Sequence, residues 1–186
     1  MYNFGLVLEG GGMRGLYSAG VLDFLIDEGI EFNAVYGVSA GSANGCNFIS
    51  RQRKRTYHIY TDFIDDKRYA SFDNLIRTGN FFGTEMNYDE IPNKLIPYDY
   101  DKFLEYKGDF YVVVTNCETG HPMYKKITDL KKELYILRAS CSLPLMAAST
   151  SPASKRYSIS FLRSILSIGT TTFPLMMTAR KDTIHS

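Results

Sequence analysis

Ser39 stands at the centre of Gly37-Val38-Ser39-Ala40-Gly41, a G-x-S-x-G pattern. Small residues on both sides of a serine permit a very tight turn, which lifts the hydroxyl to the tip of the turn. The preceding run, Phe32 to Val38, is short and apolar and reads as a buried strand. The following run, Ser39 to Ser50, is rich in small residues and reads as a helix. Its N-terminus lies behind the serine and favours developing negative charge. This setting suits a serine that attacks a carbonyl and carries the acyl group covalently.

A second motif comes earlier in the chain. Gly10-Gly11-Gly12-Met13-Arg14-Gly15 lies between an apolar run, Phe4 to Leu8, and a run with nearly helical apolar spacing, Arg14 to Glu28, closed by Gly29. Glycines let the backbone turn sharply and leave its N–H groups uncovered, so a helix N-terminus there can hold an anion. The two motifs fall at the carboxyl ends of consecutive strands in a β-α-β-α order. A right-handed crossover makes those strands parallel neighbours. The glycine loop then sits beside the serine, where Gly11 and Gly12 can offer N–H donors to a tetrahedral intermediate. Arg14 has two readings of equal weight. It stiffens the loop or attracts an anionic substrate, or else it is a surface cation capping a carbonyl.

Other folds that use these motifs fit less well. A dinucleotide site shares the G-x-G-x-x-G spacing, but its second strand ends in an acidic residue, and this one ends in Gly37-Val38-Ser39. An ordinary α/β-hydrolase places its serine turn after several strands and its histidine late. The histidines here are His58, His121 and His185, and each reads as a surface residue. The phosphate-binding ending Gly-Lys-Ser/Thr is absent.

The 186 residues suffice for one domain with a buried core. A net charge of +1 gives no electrostatic case for nucleic acid. Three cysteines, Cys46, Cys117 and Cys141, without a C-x-x-C pair, favour small buried hydrophobes in a reducing cytosol over a disulfide framework or a zinc site. Met1 to Glu9 lacks the features of a signal peptide. No apolar run reaches the roughly 20 residues of a membrane span, so any membrane contact is expected to be peripheral. Arg51 to Arg55 reads as a solvated helix end, with a lipid headgroup contact as the minority alternative. Tyr57 to Ile64 reads as a helix. Ser71 to Tyr106 reads as loops with short helices, a candidate cap over the site. Asp109 to Thr115 is a strong strand, Pro122 to Ile127 a candidate return strand, and Asp129 to Ser140 a helix. Phe72, Phe81, Phe82, Met86 and Tyr88 are candidates to line an acyl tunnel, against the blander reading that they pack the core or cap.

Taken together, the residues resemble the patatin-like phospholipase family. Glu9 to Gly15 is similar to its oxyanion-hole loop, with Gly10, Gly11, Gly12, Arg14 and Gly15. Gly37 to Ser42 is similar to its nucleophile elbow, with Gly37, Val38, Ala40 and Gly41 around Ser39. Arg138 to Met146 is similar to the helix and turn that precede its last catalytic segment. The resemblance spans roughly residues 4 to 147. It implies a three-layer α/β/α fold with a mostly parallel central sheet. It also implies a Ser-Asp dyad, acyl esters of glycerolipids as substrates, and no metal or organic cofactor.

The chain departs from that pattern at its end. The dyad aspartate normally stands in an Asp-Gly motif soon after the Pro-Leu-Met segment, and this sequence contains no Asp-Gly pair. From Ala147 to Ser186 the one acidic residue is Asp182, and serine and threonine are dense. Residues 1–147 therefore read as a partial patatin-like domain. Residues 148–186 read as an atypical tail, expected to be less ordered. A frameshift or truncation accounts for the tail better than a divergent end that supplies some other base. Weak or absent turnover is the expected consequence, since a serine hydroxyl is a poor nucleophile without a base. A lipid- or anion-binding remnant without catalysis is the alternative.

Overall fold

The computed structural model describes residues 2–116, 118–142, 157–158 and 175–179. Three strands form a parallel centre: β1 (Tyr2–Leu8), β2 (Phe32–Val38) and β3 (Asp109–Asn116). Antiparallel neighbours flank them. β4 (Pro122–Ile127) pairs with β3, and β5 (Tyr157–Ser158) pairs with the end of β3 at Thr115 and Asn116. β6 (Leu175–Ala179) pairs with β1, giving the order β4-β3-β2-β1-β6.

Strand alternation divides the sheet into two unlike faces. Register places Leu6 beside Val35 and Val35 beside Phe110, so these residues share one face with Leu8, Val112 and Val114. All six are at most 1% exposed. Helix α1 (Gly15–Asp27) joins this core through Leu22 and Leu25, and α2 (Ala40–Ile49) through Cys46, Phe48 and Ile49. Helix α6 (Leu130–Cys141) joins it through Ile136, Leu137 and Ala139. Each fully buried large apolar side chain here contributes about 1.5–3 kcal/mol. On the opposite face Tyr36 stacks on Tyr111 with ring centroids 4.9 Å apart, and Tyr124 meets Tyr36 edge-on. The architecture is α/β with a parallel centre, as the resemblance implies. Among the described residues the core-forming helices supply the layer on one face.

The irregular middle holds α3 (Arg55–Asp62), α4 (Phe72–Thr78), a π-helical stretch Met86–Leu95 that contains Pro92, and α5 (Tyr100–Glu105). Local chemistry sets several boundaries. Gly29 follows α1 at φ +66°, the left-handed position predicted for a helix stop. Ser71 Oγ accepts from Asn74 N at the start of α4, and Asp129 accepts from Lys132 N at the start of α6.

Two expectations need correction. The helix predicted over 57–64 runs two residues earlier, from Arg55 to Asp62. Arg51 to Arg55 is not simply a solvated end. Arg53 is exposed and pairs with Asp27 at 3.0 Å. Arg51 instead donates to the carbonyls of Ile26 and Ile30 at the C-terminus of α1, where a cation is favoured. Arg55 is only 4% exposed. It donates to the Ile96 carbonyl and to Asn47 Oδ1, and its guanidinium lies 3.6 Å from the centre of the Tyr98 ring. Charge spacing alone does not reveal such partners, because Ile96 and Tyr98 are more than forty residues away in the chain. Of the stretch read as a tail, only β5 and β6 fall among the described residues. Cys117, Asp182 and His185 lie outside them.

Candidate active site

Because β1 and β2 are parallel and Leu8 pairs with Gly37, the glycine loop and the serine turn leave the sheet at the same edge. Ser39 occupies the N-cap position of α2 with φ 53° and ψ −124°. A non-glycine residue in that region carries about 1–3 kcal/mol of strain, so the surroundings must enforce it. They do so through four hydrogen bonds. Ser42 N and Ser42 Oγ donate to the Ser39 carbonyl at 2.8 and 2.6 Å. Ser39 N donates to Ser140 Oγ at 2.9 Å, and Ser140 Oγ donates onward to the Val113 carbonyl at 2.7 Å. Ser140 has no exposed surface.

Sterics explain the flanking glycines. A Cβ on Gly37 would lie 2.5 Å from Ser42 Cα, and one on Gly41 would run into the carbonyl oxygens of Leu8 and Glu9. The turn can therefore close only with glycine at both positions. Val38 and Ala40 complete it, with Ala40 buried at the start of α2.

The glycine loop lies directly against this turn. A Cβ on Gly10 would meet Ser39 Cβ at 3.1 Å and Ser39 Oγ at 3.8 Å. Gly12 has φ +55° and opens a short 3-10 turn, Gly12–Arg14. The amides of Gly11 and Gly12 donate to no group among the described residues. Gly15 allows α1 to approach α2: its Cβ would stand 3.2 Å from both Ala40 Cβ and Asn44 Nδ2. Asn44 Nδ2 donates to the Gly15 carbonyl at 2.8 Å, and the Tyr60 hydroxyl to the Gly12 carbonyl at 3.3 Å. Arg14 is exposed, and a side chain on Gly11 would meet its Cβ at 3.6 Å.

Ser39, Ala40 and Gly12 form part of the wall of a cavity of about 200 Å³. Much of the lining is apolar, including Ile59, Tyr69, Ile91 and Leu137. Of the five candidate tunnel residues, Phe81, Phe82 and Tyr88 line it. Phe72 does not; it is 74% exposed and touches Phe81 edge-on at 5.5 Å. Met86 is buried in a small core with Tyr69 and Ile91. The polar part of the wall includes Asn80, Thr84, Asn87 and Arg138 and a cluster of Asn44, Asn47, Arg55 and Thr56, knitted by Asn47 Nδ2 donating to Thr56 Oγ1 and Thr56 Oγ1 donating to Asn44 Oδ1. No aspartate, glutamate or histidine lines the cavity among the described residues. His58 pairs with Asp62 on the exposed side of α3, and His121 is exposed in the β3–β4 turn.

Burial dominates the titration of the groups around Ser39. It pushes the Cys141 thiol up, partly offset by hydrogen bonds with Tyr88, Ser42 and Ser39. Burial also raises Cys46 and carries Tyr60 to about 12. None of these groups is set up as a base near neutral pH. Among the described residues no cluster could hold a metal ion, and no helix is long and apolar enough to cross a membrane.

Sequence reasoning left Ser140, Asn44 and Thr56 without roles. Ser140 sat inside the Arg138–Met146 motif, yet its contact with Ser39 joins residues 101 positions apart.

The family model for patatin-like phospholipases matches residues 6–160. The uncharacterized protein YjjU of Escherichia coli (strain K12) is 40% identical over 78 residues, covering 38% of this chain and 22% of that protein. The chain thus spans about a fifth of the length of the curated relative it matches. With its family match spanning most of the sequence, the chain belongs to the patatin-like phospholipase family.

Proposed function

We propose that this chain is a serine acyl-ester hydrolase for lipid esters, phospholipid or acylglycerol, with Ser39 as its nucleophile. The observation that carries this reading is the strained Ser39 turn pressed against the Gly10–Gly12 loop at the wall of an apolar cavity. Ser39 Oγ attacks the ester carbonyl and forms the C–O bond. The carbonyl electron pair moves to oxygen, and the N–H groups of Gly11 and Gly12 stabilise that oxyanion. Collapse expels the alcohol, which leaves with the serine proton. Water then cleaves acyl-Ser39 and releases the acid. The reaction needs no cofactor, and the substrate reaches the site from a lipid surface by peripheral contact.

Turnover is slow in this reading, because the cavity wall offers no carboxylate or imidazole among the described residues and the sequence has no Asp-Gly pair. Binding and an oxyanion hole without a complete base still give about 10³-fold over water in serine hydrolases. The same acid-free wall favours a second reading, a lipid-binding protein without turnover. Hydrolysis of p-nitrophenyl butyrate by the chain and by Ser39→Ala separates the two. A low rate abolished by the substitution supports the hydrolase, and a rate unchanged by it refutes the role of Ser39.

A further inference from the structure

Four buried polar side chains on α2 and α3 form one chain of hydrogen bonds: Arg55, Asn47, Thr56 and Asn44. Arg55 Nη1 donates to Asn47 Oδ1 at 2.9 Å, and Asn47 Nδ2 donates to Thr56 Oγ1 at 2.6 Å. Thr56 Oγ1 donates to Asn44 Oδ1 at 2.8 Å, and Asn44 Nδ2 donates to the Gly15 carbonyl at 2.8 Å. The two ends leave one sense for every bond. A guanidinium only donates and a carbonyl only accepts, so each asparagine turns its oxygen toward Arg55 and its amide toward Gly15. Bonds aligned in this way polarise one another. Arg55 is itself held at the far end, where Nε and Nη2 donate to the Ile96 carbonyl and the guanidinium lies over the Tyr98 ring.

The chain ends between two helix starts. α1 opens at Gly15, directly after the glycine loop, and α2 opens directly after Ser39. The offset between these starts sets where the Gly11 and Gly12 amides stand relative to Ser39 Oγ. Gly15 packs so closely on α2 that a Cβ there would lie 3.2 Å from Ala40 Cβ. A second tie comes from the same face of α3. Tyr60 follows Thr56 by one helical turn, and its hydroxyl donates to the Gly12 carbonyl at 3.3 Å. Apolar packing is non-directional and tolerates small slides of one helix on another, whereas hydrogen bonds at Gly12 and Gly15 weaken steeply with angle.

We propose that α3 braces the glycine loop: Thr56, anchored through Asn47 to Arg55, and Tyr60 are positioning residues that hold the Gly11 and Gly12 N–H groups in register with Ser39. This rests on the reading of those amides as oxyanion donors and adds the residues that place them.

Two measurements on the full chain test it. Hydrogen exchange read by mass spectrometry reports the loop without any reaction. Fluorophosphonate labelling at varied probe concentration separates the limiting rate at Ser39 from the affinity for the probe. Thr56→Val removes the hydroxyl at nearly constant volume. It should speed exchange at least about fivefold in the peptide spanning Gly10 to Ala19, while β2 and β3 stay protected. The limiting labelling rate should fall about tenfold, short of the about 10²-fold lost with an oxyanion donor itself, and probe affinity should stay within about twofold. Thr56→Ser, which keeps the hydroxyl, should restore both. Tyr60→Phe should move both in the same direction by a smaller factor, and it decides the question where Thr56→Val yields no folded protein. Arg51→Gln is the control: it frees the Ile26 and Ile30 carbonyls at the other end of α1 and should change neither readout. Unchanged loop exchange in Thr56→Val and Tyr60→Phe would overturn the brace. So would a Thr56→Ser chain as impaired as Thr56→Val, a loss confined to probe affinity, or an equal response to Arg51→Gln. A parent chain that is never labelled refutes the hydrolase reading alone, and loop exchange still decides the brace.

Discussion

Ser140→Ala isolates the contact that holds Ser39 in its strained conformation. The substitution removes one hydroxyl with no exposed surface and two hydrogen bonds, one from Ser39 N and one to the Val113 carbonyl. At about 1 kcal/mol per bond, the net cost is about 2 kcal/mol. The Val113 carbonyl keeps its second lone pair, so the unsatisfied Ser39 amide carries most of the penalty. With a urea slope of about 2 kcal/mol/M, the unfolding midpoint should fall by about 1 M. A second readout reports the site itself. Without Ser140 the Ser39 backbone relaxes, and labelling of Ser39 by a fluorophosphonate should slow several-fold at urea concentrations where the variant is still folded. Thr119→Ala, in the exposed β3–β4 turn, provides the control. A midpoint within about 0.2 M of the parent, together with unchanged labelling, would show that Ser140 neither stabilises the fold nor positions Ser39.

Glycine substitutions should separate steric need from tolerance. Gly41→Ala drives a methyl into the Leu8 and Glu9 carbonyls and should cost more than about 3 kcal/mol or abolish soluble expression. Gly20→Ala meets nothing within 4 Å in α1 and should stabilise by about 0.5–1 kcal/mol in the same urea titration. Cys46 is fully buried and its thiol is raised by burial. Peptide mapping should find it unalkylated by iodoacetamide at pH 8 in the native chain and fully alkylated in 6–8 M urea. Asp129 caps α6 and is held below the usual carboxylate range by hydrogen bonds from the Lys132 side chain and backbone. A depressed folded pKa stabilises above the unfolded value of about 3.9 and loses that contribution as pH falls through the folded value. Asp129→Ala should therefore lower Tm at pH 7, and the difference from the parent should shrink as pH drops below about 4.

The parts of the fold legible in the sequence are those governed by local rules. β2 has the predicted limits, Phe32 to Val38, because its short apolar run is bounded by turn-forming residues on both sides. Gly37 and Gly41 are demanded by a close approach that the G-x-S-x-G spacing already encodes. Asp129 and Gly29 mark helix ends through the same capping chemistry that makes them recognisable in sequence. What escaped depends on distant partners. Arg55 looks like one more residue in a solvated basic cluster until Ile96, Asn47 and Tyr98 close around it. Ser140 looks like an ordinary small helix residue until Ser39 and Val113 reach it from two other elements. The π-helical stretch Met86–Leu95 was hidden by Pro92 and its polar neighbours, which interrupt the usual helical signal. Phe72 and Met86 share the aromatic and apolar character of the cavity lining, but backbone direction sends one to the surface and the other into a separate core.

The central claim is that Ser39 is the chemically competent group of this chain. Incubating it with a fluorophosphonate and mapping the adduct by mass spectrometry tests that claim most directly. The expected result is a single adduct on Ser39, formed slowly for want of a base and absent from Ser39→Ala. No adduct after prolonged incubation, or one on another serine that persists in Ser39→Ala, would contradict it.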